Sequence, residues 1–349
     1  MRSVPLPSRR FGTLLAAAAG VLAALVVAAV APVPYVALTP GPTLNTLGKS
    51  GNRPMVQISG HRTYPTSGHL NMVTVSFIGG PGSSFNIFAA LRAWLSPHEA
   101  VVPEEEIFTP GQTEQQVNKQ DTEQMVNSQQ TAAAAALCLL KIKFAAIDTV
   151  AATEPGMPAR GVLQAGDVIS AVDGKPVTCA ANAGALIKAR KPGTPVNLTI
   201  VRNGEQRSVR LPSTSVQGQA VIGVDVRESF LFPFSVKINV KDIGGPSAGL
   251  MFALAIIDKL TPMNLTAGKF IAGTGEIEAG GTVDPIGGIQ QKVAGARAAG
   301  ATVFLTPAAN CPDTAGAVPA GMRLIKVSSL RGAVAALQAL KAGKPAPSC

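Results

Sequence analysis

Three side chains of this 349-residue chain have the types and spacing to do chemistry together. Ser247 stands in Gly244-Gly245-Pro246-Ser247-Ala248-Gly249-Leu250, and Lys292 closes Gly287-Gly288-Ile289-Gln290-Gln291-Lys292. Thr274 opens Thr274-Gly275-Glu276-Ile277 between them. A serine hydroxyl is a weak nucleophile at neutral pH and needs a neighbouring base. A lysine can be that base once burial has depressed its pKa until the amine is neutral.

The elements that must position these groups follow from the flanking residues. An extended run, Ser235 to Val240, ends in the glycines and Pro246. Leu250, Leu254 and Ile257, with Met251 and Ala255, then recur at helical spacing and place Ser247 at or near a helix N-terminus. Pro246 suits a first turn, and the free N–H groups there can stabilise an oxyanion. The plainer reading makes Ser247 an N-cap and the glycines a turn. Gly-Pro-Ser-Ala-Gly also fits the elbow of α/β-hydrolases, which requires an acid and then a histidine after the serine. His61, His69 and His98 all precede Ser247, which removes that fold. Gly287-Gly288 opens a second helix whose buried face is marked by Ile289, Val293, Ala296 and Ala299-Gly300, with Lys292 beside it. A lysine snorkelling from an amphipathic helix is the alternative there.

The three blocks, Gly245 to Gly249, Thr274 to Ile277 and Pro285 to Lys292, resemble in order the proteolytic domain of Lon-type Ser–Lys peptidases. The resemblance implies Ser247 as nucleophile, Lys292 as general base and Thr274 as the hydroxyl holding the amine in line. Many Lon enzymes carry an Asp three residues before the serine, where this chain has Gly244; Asp242 lies two residues earlier. The strand from Gly68 to Val75 and the helix from Ser128 to Leu140 resemble, more loosely, the opening elements of the same domain.

Arg2, Arg9 and Arg10 precede an uncharged run from Phe11 to about Val33, long enough to span a bilayer. Ala29-Val30-Ala31 resembles a cleavage site, but Pro32 directly after it argues for a signal anchor. The arginine bias keeps the N-terminus in the cytoplasm and the rest extracytoplasmic. The exit from Tyr35 to Pro42 resembles the segment after the anchor in bacterial membrane-bound, PDZ-containing Lon-like proteases. Gly48-Lys49-Ser50 is not a P-loop, because position 43 is Thr rather than Gly, and no Walker motif occurs elsewhere. The net charge of +10 comes without any nucleic-acid module and suits anionic lipid or envelope polymer, or simple solubility.

Residues 144–212 resemble a PDZ domain of bacterial envelope proteases. They carry Gly161-Val162-Leu163-Gln164-Ala165-Gly166-Asp167-Val168-Ile169, then Val172-Asp173-Gly174-Lys175-Pro176, a helix from Asn182 to Ala189 and a strand pair turned at Asn203-Gly204. Such domains add a peptide as a strand at a sheet edge. The groove is expected along Phe144 to Val150, with Ile187 contributing. Of Cys138, Cys179, Cys311 and Cys349, Cys311 and Cys349 are the preferred pair, and Cys138 reads as a packing residue.

The expectation is an α+β fold in which a PDZ domain is inserted into a Lon-type proteolytic domain behind one N-terminal transmembrane helix. The units are 1–34 N-tail and anchor, 35–50 linker, 51–143 first proteolytic segment, 144–212 PDZ, 213–343 second segment with the dyad, and 344–349 tail. The function expected is an ATP-independent serine endopeptidase of the cell envelope acting on proteins or peptides. No cofactor, metal or nucleic acid is expected, and a homo-oligomer is compatible with the resemblance. The alternative is a catalytically silent PDZ scaffold binding exposed peptide tails.

Overall fold

The structure is a computed structural model that describes residues 9–241 and 243–349. Arg2 and Asp242 lie outside the described residues. In chain order come α1 (Arg9–Val30), β1 (Tyr35–Asn45), β2 (His69–Gly79), α2 (Ile87–Trp94), β3 (Ala100–Pro103) and α3 (Glu114–Leu139). Next are β4 (Ala145–Thr153), β5 (Val168–Val172), α4 (Ala183–Lys188), β6 (Val196–Arg202), β7 (Glu205–Leu211) and β8 (Val224–Leu231). The chain ends with α5 (Gly249–Leu260), β9 (Phe270–Gly273), α6 (Ile289–Ala298), β10 (Val303–Pro307), β11 (Arg323–Val327) and α7 (Leu330–Lys341).

One sheet has the order β11-β10-β9-β2-β1-β3, so it joins strands from both ends of the chain. Its β11, β10, β9 and β2 run parallel to one another, and β1 pairs antiparallel with β2 and β3. Residues 35–50, expected as a linker, thus hold a strand paired on both sides. Val36, Ala37 and Leu38 are buried there, and the Pro-Gly content that suggested an exit segment makes only a register shift between Pro40 and Thr43.

Helix α5 is apolar all round because it is enclosed: every residue from Gly249 to Leu260 except Lys259 is buried. Ala132, Ala133, Ala135 and Ala136 of α3 pack in the same core, and side chains that small let the two helices approach closely. A reciprocal capping box of Thr113 and Gln116 starts α3 and satisfies two of its orphan donors.

The second sheet has the order β7-β6-β5-β4-β8. The Asn203-Gly204 turn is formed with positive φ at both residues, as a two-residue hairpin requires. β8 lies beyond residue 212 and occupies the outer edge, pairing along β4 from Val224↔Thr153 to Leu231↔Ala145. The expected groove along Phe144 to Val150 is therefore corrected: β4 has partners on both sides, and the free edge belongs to β8. Ile187 does contribute, because a pocket between α4 and the start of β8 is lined by Gly184, Ile187, Lys188, Ile222, Gly223 and Val224. Sequence could not show this, because a strand that begins thirteen residues past the end of the β6–β7 hairpin carries no mark of the sheet it joins.

Cys311 and Cys349 are bonded, as preferred, and tie the tail to the 308–314 turns. Cys138 is not merely packed: it is bonded to Cys179 and links α3 to the loop before α4. Helical burial of Cys138 looked sufficient only because Cys179 is 41 residues away.

Candidate active site

Ser247 lies two residues before the first helical residue of α5. The cap position is Ala248, with no side-chain cap bond, so the Ser247 hydroxyl does not serve as the N-cap. Its loop is pinned from several directions. Ser128 Oγ of α3 donates to Pro246 O at 2.9 Å, and Thr274 Oγ1 and Gly275 N donate to Ser247 O at 2.9 and 2.8 Å. Gly245 sits at φ +81°, which a residue with a Cβ adopts only at a cost, and its N–H donates to Asp121 O at 3.1 Å.

Helix α6 brings in Lys292. Ile289, Val293 and Ala296 are buried on the sheet as expected, whereas Ala299 and Gly300 are exposed. The face stops one turn early because the chain turns back at Gly300 and buries Ala301 instead. Lys292 is 2 % exposed, so its amine does not snorkel. Lys292 Nζ donates to Ser247 Oγ at 2.8 Å and to Thr274 Oγ1 at 3.3 Å. Burial alone lowers its pKa from 10.5 to about 7, because a charged ammonium there would lose its hydration. Thr274 is fully buried, and its hydroxyl accepts from the amine while donating to Ser247 O. The structure thus brings together all three side chains singled out in the sequence.

Ser247 and Lys292 open into a cleft of about 400 Å3. Leu38, Met72, Val75, Phe77 and Met125 form apolar parts of its wall, and Thr74 and Ser76 add polar ones. Glu276 has its pKa raised by burial and by the nearby charge of Asp284.

Asp121, which the sequence reading missed, also lines this cleft from α3. A Cβ built at Gly244 would fall 2.4 Å from the Asp121 Cβ and 3.1 Å from its Oδ2. The Asp121 side chain therefore occupies the space that an aspartate at 244 would need, and burial raises its pKa. Nothing in the sequence signals this, because Asp121 and Gly244 are brought together by tertiary packing alone. Gly244→Asp should lower peptide hydrolysis by at least about tenfold, and adding Asp121→Gly should recover most of it, since residues in contact couple strongly. Additive losses in the double variant would show that the two positions do not share that space.

Residues 237–337 match the family model of the Lon protease (S16) C-terminal proteolytic domain, and 117–212 match that of a PDZ domain. Over 69 residues the chain is 49% identical to Lon protease of Roseiflexus castenholzii, covering 20% of this chain and 8% of that protein. Lon protease 2 of Thermus thermophilus is 45% identical over 71 residues, 20% of this chain and 9% of its own length. A probable periplasmic serine endoprotease DegP-like of Pseudomonas fulva is 47% identical over 58 residues, 17% and 12% of the two chains. The chain spans about a tenth of the length of these curated relatives. The chain thus carries an S16-type Lon proteolytic domain, whose match covers both Ser247 and Lys292, together with a PDZ domain.

Proposed function

We propose that this chain is a membrane-anchored serine endopeptidase that works without ATP, with Ser247 as nucleophile, Lys292 as general base and Thr274 as the residue that orients the amine. The observation that carries the reading is a fully enclosed lysine amine 2.8 Å from a serine hydroxyl that opens onto a cleft. Above about pH 7 the amine is neutral, and the short contact can reverse so that the hydroxyl donates. As Oγ bonds to the scissile carbonyl carbon, its proton passes to Nζ. The carbonyl electron pair moves to oxygen, whose donors must come from the backbone of the loop ahead of α5. The N–H groups of Gly249, Leu250 and Met251, expected to be free, already donate to Pro246 O, Gly275 O and Ala248 O. The ammonium then gives its proton to the leaving amine, which departs as the C–N bond breaks. Water, deprotonated by the same amine, releases the acyl group in the second half-reaction.

The apolar part of the cleft wall favours an apolar side chain next to the scissile bond, and an acidic one would be desolvated there beside the Asp121 carboxylate. The PDZ unit presents the edge of β8 beside α4, where a peptide can add as a strand. Among the described residues one helix, Arg10–Val30, is long and apolar enough to cross a membrane, and its residues are unburied. The two disulfides suit an oxidising space beyond that membrane.

Labelling by a fluorophosphonate probe without nucleotide tests the reading. With the amine's pKa about 7, the rate should rise about tenfold per pH unit below that value and level off by roughly pH 8. A probe that never labels Ser247 would favour the silent scaffold, and a labelling rate flat from acid to alkaline pH would remove Lys292 from its role.

The partition between units can be tested by excision. Phe144 and Phe232 lie side by side with rings 5.3 Å apart, so the chain leaves and re-enters the proteolytic core at one place. Removing 145–231, with Cys138→Ala to avoid a stranded thiol, should keep small-peptide hydrolysis within about threefold while cleavage of protein substrates falls. Removing only 145–211 should be worse, because β8 loses its partner β4 and is left unpaired. Equal behaviour of the two deletions would show that β8 does not depend on that pairing.

A further inference from the structure

Outside α1, the two most exposed large apolar side chains among the described residues are adjacent: Leu95 at 76 % and Trp94 at 71 %. They belong to a longer face. Ile87, Phe88, Leu91, Trp94 and Leu95 are all exposed and follow one another at the spacing of a single helical stripe. The opposite face of α2 carries Ala89, Ala90 and Ala93, which pack against Phe85, Ala37 and Val33. The helix is inside out for a water-facing position, with its small residues inward and its large apolar ones outward.

The position of α2 names the occupant. Asn86 Nδ2 donates to Ala29 O at 2.8 Å in the last turn of α1, and Val33 N donates to Phe85 O at 2.8 Å. Pro32 and Asn86 form a bridge between the two segments. The start of α2 is therefore bonded to the end of α1, whose apolar surface is unburied over its length. Whatever lipid surrounds α1 ends where α2 begins. The helix carries no acid, one arginine (Arg92) and a tryptophan, a composition that suits the headgroup level of a bilayer.

We propose that α2 is an interfacial helix, seating the catalytic domain on the membrane crossed by α1, with Phe88, Leu91, Trp94 and Leu95 immersed roughly 5–10 Å into the headgroup–acyl boundary. The proposal rests on the reading of α1 as the anchor. A single span leaves a domain free to swivel, whereas a second contact fixes its tilt. Strand β1 leads from this attachment into the sheet and supplies Leu38 and Pro42 to the cleft, so the cleft would stand at a set height above the lipid.

Trp94 is the only tryptophan in the chain, so its fluorescence reports this face alone. The full chain is reconstituted into phosphatidylcholine–phosphatidylglycerol vesicles, some containing phospholipid brominated near the headgroup. Trp94 emission should be quenched about twofold or more by the brominated lipid and shielded from aqueous acrylamide, as expected for interfacial depth. Leu91→Glu with Leu95→Glu changes exposed side chains only and should reverse most of the quenching, while α1 still retains the chain in the vesicles. A Trp94 open to acrylamide and insensitive to brominated lipid overturns the proposal. A Trp94 shielded from acrylamide yet insensitive to the lipid also overturns it, because a protein surface such as a second copy then covers the face. Alkaline carbonate extraction reads the anchor separately. Release by carbonate of a chain that had been quenched would refute the anchor and leave the interfacial helix standing; retention with an unquenched Trp94 would do the opposite.

Discussion

Ser247→Ala and Lys292→Ala should each reduce kcat/KM for a susceptible peptide by about 10⁴–10⁶, and the double variant should lose little more than either alone. Non-additivity is the informative part. Oγ has no base without the amine, and the amine has no proton to take without Oγ, so removing one disables the other. The 2.8 Å contact between them makes them one unit. Thr274→Val should cost less, about tenfold to a hundredfold, because it removes hydrogen bonds worth about 1–1.5 kcal/mol each and leaves the reacting pair in place. Its effect should appear in kcat rather than KM, since Thr274 is buried behind the amine and touches no substrate. Circular dichroism should show all these variants folded. Full activity in Ser247→Ala, or losses that add in free energy, would remove the dyad.

How much of this was legible in the sequence depended on the range of the interaction. The approach of Ser247, Thr274 and Lys292 could be expected only through the resemblance of three ordered blocks within about fifty residues; the local turns and helix starts by themselves leave an N-cap serine and a snorkelling lysine open. The periodicity of α5 and the strand β2 were legible for the same reason. What failed was non-local. The Pro40-Gly41-Pro42 run within β1 looks like a linker's exit, and no local signal says that strands lie on both sides of it. β8 was separated from the PDZ sheet because the alternation from Val224 to Leu231 fits any half-buried strand. Asp121 was invisible because a carboxylate on the polar half of α3 looks like a solvated face until Gly244 packs against it. The outward face of α2 is hidden differently: in Ile-Phe-Ala-Ala-Leu-Arg-Ala-Trp only the fold shows that the alanines, not the large side chains, point inward.

Lys292→Met should make the protein more stable at neutral pH while destroying activity. The folded-state pKa of about 7 lies below the unfolded value near 10.5. Between those values the unfolded chain carries the proton and the folded chain does not, so unfolding takes up a proton and stability rises with pH. The penalty for burying this lysine is therefore fully present below about pH 7. It shrinks by about 1.4 kcal/mol per unit above that and vanishes near the unfolded pKa. Its full size is about 5 kcal/mol, the free energy of the shift from 10.5 to about 7. Methionine matches the length of the side chain without the charge and gives up two hydrogen bonds, to Ser247 and Thr274, together costing about 2 kcal/mol. A net gain of roughly 3 kcal/mol near neutral pH should follow, visible as a higher urea midpoint for the variant. Comparing the two proteins at about pH 6, 8 and 10 cancels the other titrating groups, and the difference should be largest at the acid end and reverse its sign near the alkaline end. A difference that stays constant with pH would mean that the amine titrates alike in the folded and unfolded chains. In that case it could not be the neutral base that Ser247 needs.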